Sequence, residues 1–199
     1  MVAIHKATKA DRPVVAAALA SAFSEDPLFG WMIGPRAPLE RRMQWFFDAF
    51  LKMNLRKPEH LVFAADDGSG AAIWQPVDKW KVPPADLLRS APAIVRTFRA
   101  RVPAMMGALN AIEKVHPKEP HYYLEVLGTR RDRQSKGVGS AVIEAGLERC
   151  DREGLPAYLE SSNPRNVPFY ARHGFTVTGE VDCGKGAPLC TTMWREPRA

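Results

Sequence analysis

A glycine-rich turn between an apolar strand and a long helix constrains this chain more than any other stretch. The strand is predicted over 121–129, the turn reads Gln134-Ser-Lys-Gly137-Val-Gly139, and an amphipathic helix follows over about 137–153. A strand that runs through glycines into a helix N-terminus presents several backbone N–H groups at the positive end of the helix dipole. Gly137 and Gly139 lack a Cβ, so a ligand can approach the main chain closely. The stretch therefore predicts a phosphate-binding site.

The glycine spacing narrows the choice of ligand. The turn does not follow the G-x-x-x-x-G-K-[ST] pattern of nucleoside triphosphatases, and it does not follow the G-x-G-x-x-G pattern of dinucleotide-binding Rossmann turns. It does follow the pattern Q/R-x-x-G-x-G. Taken alone, the turn leaves one other interpretation open, which is an ordinary strand-to-helix connection with incidental glycines.

The size and composition of the chain indicate one domain over residues 1–199. With 199 residues, 46% of them hydrophobic, the chain can bury a sizeable core. No apolar run approaches the length of a membrane span, and the N-terminal residues lack an apolar signal core. We therefore expect a cytoplasmic protein without a membrane partner.

The cysteines and the net charge exclude further classes. Cys150, Cys183 and Cys190 give an odd count without a CxxC pair, which favours reduced thiols and no metal site. A disulfide between Cys183 and Cys190, across a late hairpin, is the less favoured alternative. The net charge of +6 is spread along the chain, so it favours an anionic cofactor with several phosphates over a nucleic-acid partner.

Hydrophobic periodicity and turn residues predict the order β-α-α-β-β-α-β-α-β-α-β-β, which is an α/β chain with a mixed sheet. The predicted strands lie at 4–7, 61–65, 71–75, 121–129, 156–161, 175–182 and 189–194. The first predicted helix begins after a cap at 8–11. The other predicted helices lie at 38–55, at 93–115 with a break at Pro103, at 137–153 and at 164–172. Phe23–Trp31 is predicted to be a loop, and Asp86–Ser90 to form one or two helical turns. The two central strands are joined by a helix and should be parallel.

Two motifs in the second half resemble the GCN5-related N-acetyltransferase (GNAT) superfamily. Gln134–Gly139 fits the turn that holds a coenzyme A pyrophosphate, and Asn163–Phe175 fits the later N-x-x-[AN]-x-x-[FL]-Y-x-x-x-G-F signature. Within the superfamily, the chain from Pro117 onward is similar to the puromycin N-acetyltransferases and their relatives. The resemblance implies a GNAT fold: a central, mostly antiparallel mixed sheet with two splayed parallel central strands, flanked by helices.

The resemblance also implies a set of residues that bind acetyl-CoA as co-substrate. The pantetheine arm would lie between the splayed strands and pair with backbone groups that otherwise lack partners. The turn amides would hold the pyrophosphate, and two residues of the later motif would contact the cofactor. These residues are Leu127, Gly128, Thr129, Gln134, Ser135, Lys136, Gly137, Val138, Gly139, Ser140, Asn166 and Phe169.

Three residues are the candidates for the chemistry. By resemblance, Tyr170 would lie near the cofactor sulfur and protonate the leaving thiolate. The acceptor amine must be neutral to attack, so a carboxylate must take its proton. Glu160 and Glu125, one on each central strand, are the candidates, with Glu160 ranked first; a purely structural role for both stays open. No cysteine is expected in the cleft, so direct attack in a ternary complex is favoured over a covalent intermediate.

The acceptor is the least determined partner. Phe23, Asp26, Phe29 and Trp31 are the candidate substrate-binding residues, and an aromatic loop with one carboxylate suits a small primary amine on an apolar body. The identity of the amine is left open, as is the choice between monomer and homodimer. Two alternatives remain: an acyl-CoA-binding sensor with a degenerate acceptor site, and a protein or peptide N-acetyltransferase with an open groove.

Overall fold

The computed structural model describes residues 2–34 and 38–198, and seven strands and seven α-helices lie within these ranges. The strands are β1 Ile4–Lys6, β2 Leu61–Ala65, β3 Gly70–Gln75, β4 Tyr122–Thr129, β5 Ala157–Ser161, β6 Thr176–Asp182 and β7 Leu189–Arg195. The helices are α1 Arg12–Ala22, α2 Pro27–Ile33, α3 Leu39–Asn54, α4 Pro84–Phe98, α5 Val102–Val115, α6 Val138–Glu153 and α7 Val167–Arg172. None of the helices in these ranges is long and apolar enough to cross a bilayer.

The strands form one mixed sheet in the order β1-β2-β3-β4-β5-β7-β6. Each neighbouring pair is antiparallel except β4 and β5, which are parallel because α6 returns the chain to the same end of the sheet. The predicted mixed sheet with a parallel central pair is confirmed.

Two apolar cores lie on opposite faces of the sheet. On one face, α1 to α5 pack against Val62, Ile73 and Val126. On the other face, α6 and α7 pack against Leu124 and Leu159. Six phenylalanine rings of the first face are in mutual contact at centroid distances between 5.2 and 6.0 Å: Phe23, Phe29, Phe46, Phe47, Phe50 and Phe98. The sheet therefore separates an aromatic layer from the layer that contains the glycine turn.

The prediction of a loop over Phe23–Trp31 is wrong, because Pro27–Ile33 is helical. Asp26 is the N-cap of this helix, and its carboxylate accepts a hydrogen bond from the Phe29 N–H at 2.9 Å. Pro27 occupies the first helical turn, where its missing N–H costs nothing. The Asp-Pro start signal was present in the sequence, but the turn residues around it favoured a loop.

The helical region before β4 is also divided differently from the prediction. Helix α4 begins at Pro84 and continues through Pro92, and it ends where Arg99 adopts a φ of +50°. A short 3₁₀ turn, Arg99–Arg101, leads into α5. Pro103 lies in the first turn of α5 and not in the interior of a helix. The break expected at Pro103 is therefore present, a few residues earlier.

Helix α6 can approach the sheet closely because residue 146 has no side chain. A Cβ on Gly146 would lie 2.2 Å from the Trp74 indole, which is fully buried. The indole cannot move aside, since Leu124, Val142 and Ile143 belong to the same core.

We predict that Gly146→Ala lowers the free energy of unfolding by about 2 to 3 kcal/mol, because the added methyl overpacks this core. Gly107→Ala is the matched control. Gly107 also lies within a helix, but a Cβ added there would have no neighbouring atom within 4 Å, so alanine should stabilise by about 0.5 to 1 kcal/mol through helix propensity. Urea denaturation of the two variants measures the change in the free energy of unfolding for each. Changes of the same sign and size would contradict the packing argument.

Candidate active site

A bulge in β4 opens the centre of the sheet. Ile73 of β3 is paired with Val126 and Trp74 with Leu124, so Glu125 is an extra residue without a partner on β3. Such a bulge bends its strand and turns two consecutive side chains to the same face. Glu125 and Val126 accordingly both face the helices α1 to α5, where they line one cavity.

Beyond the first residues of β4 and β5, the two strands separate. They pair only at Tyr122 with Ala157 and at Tyr123 with Tyr158. From Leu124 onward, the edge of β4 that faces β5 has no strand partner within the described chain, so its N–H and C=O groups are available to an extended ligand. The predicted splay of the central strands is confirmed.

The glycine turn lies at the open end of this gap. Ser135 and Gly137 have φ values of +60° and +82°, and Gly137 is the N-cap of α6. The Gln134 amide donates to the Thr129 carbonyl at 3.3 Å, and the Lys136 ammonium donates to the Asp132 carbonyl at 2.9 Å. The Gln134 contact ties the turn to the end of β4, and the first N–H groups of α6 have no partner within the helix.

Helix α7 brings the later motif next to the turn. A Cβ on Gly139 would lie 3.5 Å from the Phe169 ring, so Phe169 covers the start of α6. Asn166 is exposed and its side chain makes no capping hydrogen bond, because the preceding turn is capped by Asn163 instead. The Asn166 amide is thus free to contact a ligand at the turn.

Tyr170 is buried at the same junction, and its pKa is raised by burial and by the nearby Asp26 carboxylate. The phenol therefore stays protonated across the neutral range and can donate a hydrogen bond. No protein partner in the described ranges hydrogen-bonds the Tyr170 hydroxyl.

A cavity of about 230 Å³ lies on the other side of the gap, between the sheet and α2 to α5. Its walls are mainly aromatic and aliphatic, and α4 and α5 form its roof. Three carboxylates, Asp26, Glu125 and Glu160, lie at its sheet end. An apolar chamber with acidic groups at one end is suited to a cation attached to an apolar body.

Asp26 is held by neutral donors. One carboxylate oxygen accepts from the Phe29 N–H, and the other accepts a short hydrogen bond from the Ser162 hydroxyl. Burial raises the pKa of Asp26 despite these donors. An incoming ammonium group would relieve this cost, because it would pair with the charge.

Glu125 is held at the end of a buried polar chain. The Gln75 amide donates both to Glu125 and, at 2.8 Å, to the Asn54 side-chain oxygen. His60 contacts the same Asn54 oxygen at 2.7 Å, and burial lowers the pKa of His60 to about 4, so this ring stays neutral. Burial also raises the pKa of Glu125 to about 7, since Gln75 compensates only part of the lost hydration.

Glu160 lies among rings on the β5 side of the gap. Its side chain is 5% exposed, and its Oε1 atom lies 3.6 Å from Nδ1 of His116. Burial, followed by the Glu160 charge, raises the pKa of both Tyr123 and Tyr158, so neither phenol ionises near neutral pH.

The structure brings most of the candidate residues together. Phe23, Asp26, Phe29, Glu125 and Glu160 all line the cavity. Trp31 does not, because it lies at the far end of α2, where the Arg101 guanidinium packs over its ring at 5.2 Å.

Four residues of the site were missed from sequence. Ser162 continues the alternation of Tyr158 and Glu160 on one face and was open to prediction. Gln75, His116 and Cys190 depend on tertiary register. Cys190 lines the cavity, contrary to the expectation of a cleft without cysteine. Its thiol is a poor nucleophile, because contact with Cys183, 3.7 Å away, and burial raise its pKa.

The sequence profile of the Acetyltransferase (GNAT) family matches residues 19–175. The chain is also similar over its whole length to the Corynebacterium glutamicum crystal structure of "histone acetyltransferase HPA2 and related acetyltransferase". The TM-score is 0.75 at 25% identity, and the alignment covers 100% of this chain and 98% of the other.

Curated relatives match shorter stretches. An uncharacterised N-acetyltransferase of Schizosaccharomyces pombe is 40% identical over 60 residues, which are 30% of this chain and 24% of the relative. The mycothiol acetyltransferase of Streptomyces coelicolor is 40% identical over 72 residues, which are 35% of this chain and 23% of the relative. The matches thus span about a quarter of each curated relative.

We predict that Glu125→Gln raises the free energy of unfolding of the ligand-free protein by about 1 to 3 kcal/mol at pH 8 and hardly changes it at pH 4.5. The unfolded chain loses the Glu125 proton near its ordinary pKa of 4.5, and the folded chain loses it near 7. The stability that Glu125 contributes to the wild-type protein is therefore lost as the pH rises from 4.5 to about 7. The side-chain amide of the Glu125→Gln variant does not titrate.

Urea denaturation of wild type and variant across this pH range measures the difference. Glu180→Gln, at an exposed position of β6, controls for the loss of one charge. A stability difference for Glu125→Gln that is the same at both pH values would contradict the prediction.

Proposed function

Because this chain belongs to the GNAT family of acetyltransferases, we propose that it transfers the acetyl group of acetyl-CoA to the primary amine of a small molecule with an apolar or aromatic body. The family uses acetyl-CoA. The observation that carries the acceptor class is the position of Asp26, Glu125 and Glu160 in a mainly apolar cavity, directly beside the splayed strands.

The residues beside the gap are suited to acetyl-CoA. The N–H groups of 135–140 would bind the pyrophosphate, with Gln134 bracing the turn against β4. The unpaired edge of Leu127–Thr129 would pair with the pantetheine arm, and Asn166 and Phe169 would contact the arm from α7. Bound acetyl-CoA supplies an activated acyl group, whose carbonyl the backbone N–H groups near Leu127 would polarise.

The two strand carboxylates have different parts in the proposal. Glu125 would hold the acceptor ammonium, since its charge is costly in the empty cavity and is stabilised by a cation. Its polar partner is the Gln75 amide group, a donor that does not accept a proton. Glu160 would take the proton that the ammonium must lose before attack. Tyr170 would donate a proton to the departing thiolate.

The shape of the cavity favours a small acceptor over a protein or peptide. Residues of α4 and α5, including Ile94, Phe98 and Leu109, line the cavity, so an acceptor would have to fit between them and the sheet. A cavity of about 230 Å³ accommodates a compact amine. The buried carboxylates disfavour a sensor that binds acyl-CoA without turnover. Such a protein has no need of charges in its acceptor cavity.

We expect calorimetry to detect acetyl-CoA binding and a thiol-release assay to detect turnover on amines with an aromatic body, with kcat/KM at least about tenfold above that for polyamines, amino sugars and peptide N-termini. Contact with the aromatic walls favours substrates with an apolar body, and the carboxylates favour substrates with a cationic amine. Absence of acetyl-CoA binding would contradict the proposal. Binding without turnover on any amine would favour a sensor, and preference for peptides would favour a protein acetyltransferase.

We predict that Tyr170→Phe lowers kcat by about 10² to 10³-fold and leaves acetyl-CoA affinity within about twofold. The phenol acts only when the thiolate departs, so its loss affects the chemical step. Phe175, which packs edge-on to Tyr170 with centroids 6.1 Å apart, offers the control Phe175→Leu for disturbed packing. Near-normal turnover of Tyr170→Phe would contradict this role.

A further inference from the structure

A histidine of the loop between α5 and β4 faces Glu160, and the proposed function gives it no part. The His116 side chain is fully buried and stacks on the Trp80 indole, with centroids 3.7 Å apart and an angle of 26° between the ring planes. Its Nδ1 atom lies 3.6 Å from the Glu160 carboxylate, and its Nε2 atom lies 3.0 Å from Nε2 of His121. The stacking fixes the ring plane in which both contacts lie.

The hydrogen bonds determine where the protons of this histidine pair are. Nδ1 of His121 lies 2.6 Å from the Glu119 carbonyl, which only accepts, so His121 carries a proton on Nδ1. Burial lowers the pKa of His121, which keeps the ring neutral and leaves a lone pair on its Nε2. His116 must then donate from its Nε2, and its Nδ1 is left without a proton while the ring is neutral.

Nδ1 of His116 and Oε1 of Glu160 are therefore two acceptors that face each other. Both atoms are buried, and neither has a hydrogen-bond partner within the described ranges. One added proton resolves this conflict, because it can lie between them as an N–H or an O–H donor. The empty site thus has a place for one proton next to the cavity in which the acceptor amine would lie.

We propose that His116 is a positioning residue that acts through Glu160 and receives from it the proton of the acceptor ammonium. This inference rests on the proposed function. The ammonium loses one proton and becomes a neutral amine, and Glu160 becomes a carboxylic acid. Glu160 then passes the proton to Nδ1 of His116, which restores the carboxylate and forms an imidazolium. The imidazolium gives its Nε2 proton to Nε2 of His121, and His121 releases its Nδ1 proton to water. After the product departs, His121 regains an Nδ1 proton from water and returns its Nε2 proton to His116, and the Nδ1 proton of His116 is lost to solvent through the emptied site, which restores both starting tautomers.

The outer end of this chain borders a second cavity. A cavity of about 590 Å³ is lined by Glu119, Tyr158 and Trp194, among others. All three contact His121: Glu119 through its carbonyl, and the Tyr158 and Trp194 rings at centroid distances of 5.5 Å. A proton can therefore leave through this second cavity, without crossing the apolar chamber.

Few other groups titrate near the pair formed by His116 and Glu160. Those that face it are Tyr123 and Glu125 from β4, Tyr158 from β5, Cys190 from β7, Cys183 from the β6–β7 loop and His121. The pKa values of the two phenols and of Cys190 are raised, so these groups stay neutral near pH 7. Glu125, His121 and Cys183, whose pKa is lowered by its contact with Cys190, are the neighbours to account for in an activity profile.

The first test compares Glu160→Gln, His116→Gln and the double variant on the best amine. Glutamine at position 116 retains a donor toward His121 but cannot take up a proton. We expect each single variant to lower kcat about 10²-fold with acetyl-CoA affinity unchanged, and the double variant to be no slower than either, because the two residues act as a unit. His5→Gln, on β1, is the control histidine substitution and should stay within about twofold of wild type.

The pH profile separates proton transfer from packing. In wild type, the acid limb of kcat/KM should depend on the proton that Glu160 and His116 share, and it should move in His116→Gln, which has no second acceptor for that proton. Loss of activity with an unmoved acid limb, or multiplicative losses in the double variant, would overturn the proposal and leave His116 a structural role.

A measurement on the wild-type protein avoids dependence on variant folding and on turnover. Side-chain ¹⁵N resonances should show His121 protonated on Nδ1 and neutral His116 protonated on Nε2, with the His116 Nδ1 resonance alone changed by Glu160→Gln. Neutral His116 protonated on Nδ1 would overturn the proposal. If no amine is acetylated, the proposed function fails, and these resonances still decide whether Glu160 and His116 share a proton.

Discussion

The separation of β4 from β5 is the constraint on which the rest of the structure depends. The extra residue Glu125 bends β4 away from β5 after two paired positions. A gap in the middle of a sheet leaves backbone donors and acceptors without partners, which is costly unless a ligand supplies them. The same bulge turns Glu125 and Val126 to one face. A single inserted residue therefore opens the proposed cofactor site and directs a carboxylate into the proposed acceptor cavity.

The carboxylates around the gap are held in a way that favours function over stability. Asp26 is bound by a backbone N–H and Ser162, and Glu125 by the Gln75 amide, so both carry their charge among neutral donors. Their pKa values are raised by burial, which means that the folded, empty protein bears a cost when they ionise. A cation that enters the cavity removes this cost. Strain of this electrostatic kind is more common at functional sites than in an ordinary core.

Local signals in the sequence were enough to predict the sheet, the glycine turn and the later motif. Gly137 and the Asn163–Phe175 motif act through backbone conformation and spacing, which lie within short stretches of chain. The rest depends on register between distant elements. Gln75 meets Glu125 only because β3 pairs with β4 around a bulge, and His116 meets Glu160 only because a loop folds over β5. Trp31 looked like a pocket residue, but the unpredicted helix α2 directs it elsewhere.

The two faces of the sheet give the proposed reaction its geometry. The glycine turn, Phe169 and Tyr170 belong to the side of α6 and α7, whereas the apolar cavity belongs to the side of α2 to α5. The gap between β4 and β5 is where these two sides meet, so a co-substrate and an acceptor that enter from opposite faces would be brought together at Glu125 and Glu160. The arrangement is compatible with the proposed direct attack, because neither substrate would have to leave before the other binds. In the proposed reaction, Glu160 on β5 is better placed than Glu125 to remove the proton. His116 leads away from the cavity, whereas the Gln75 network behind Glu125 ends at His60, a ring that stays neutral to about pH 4.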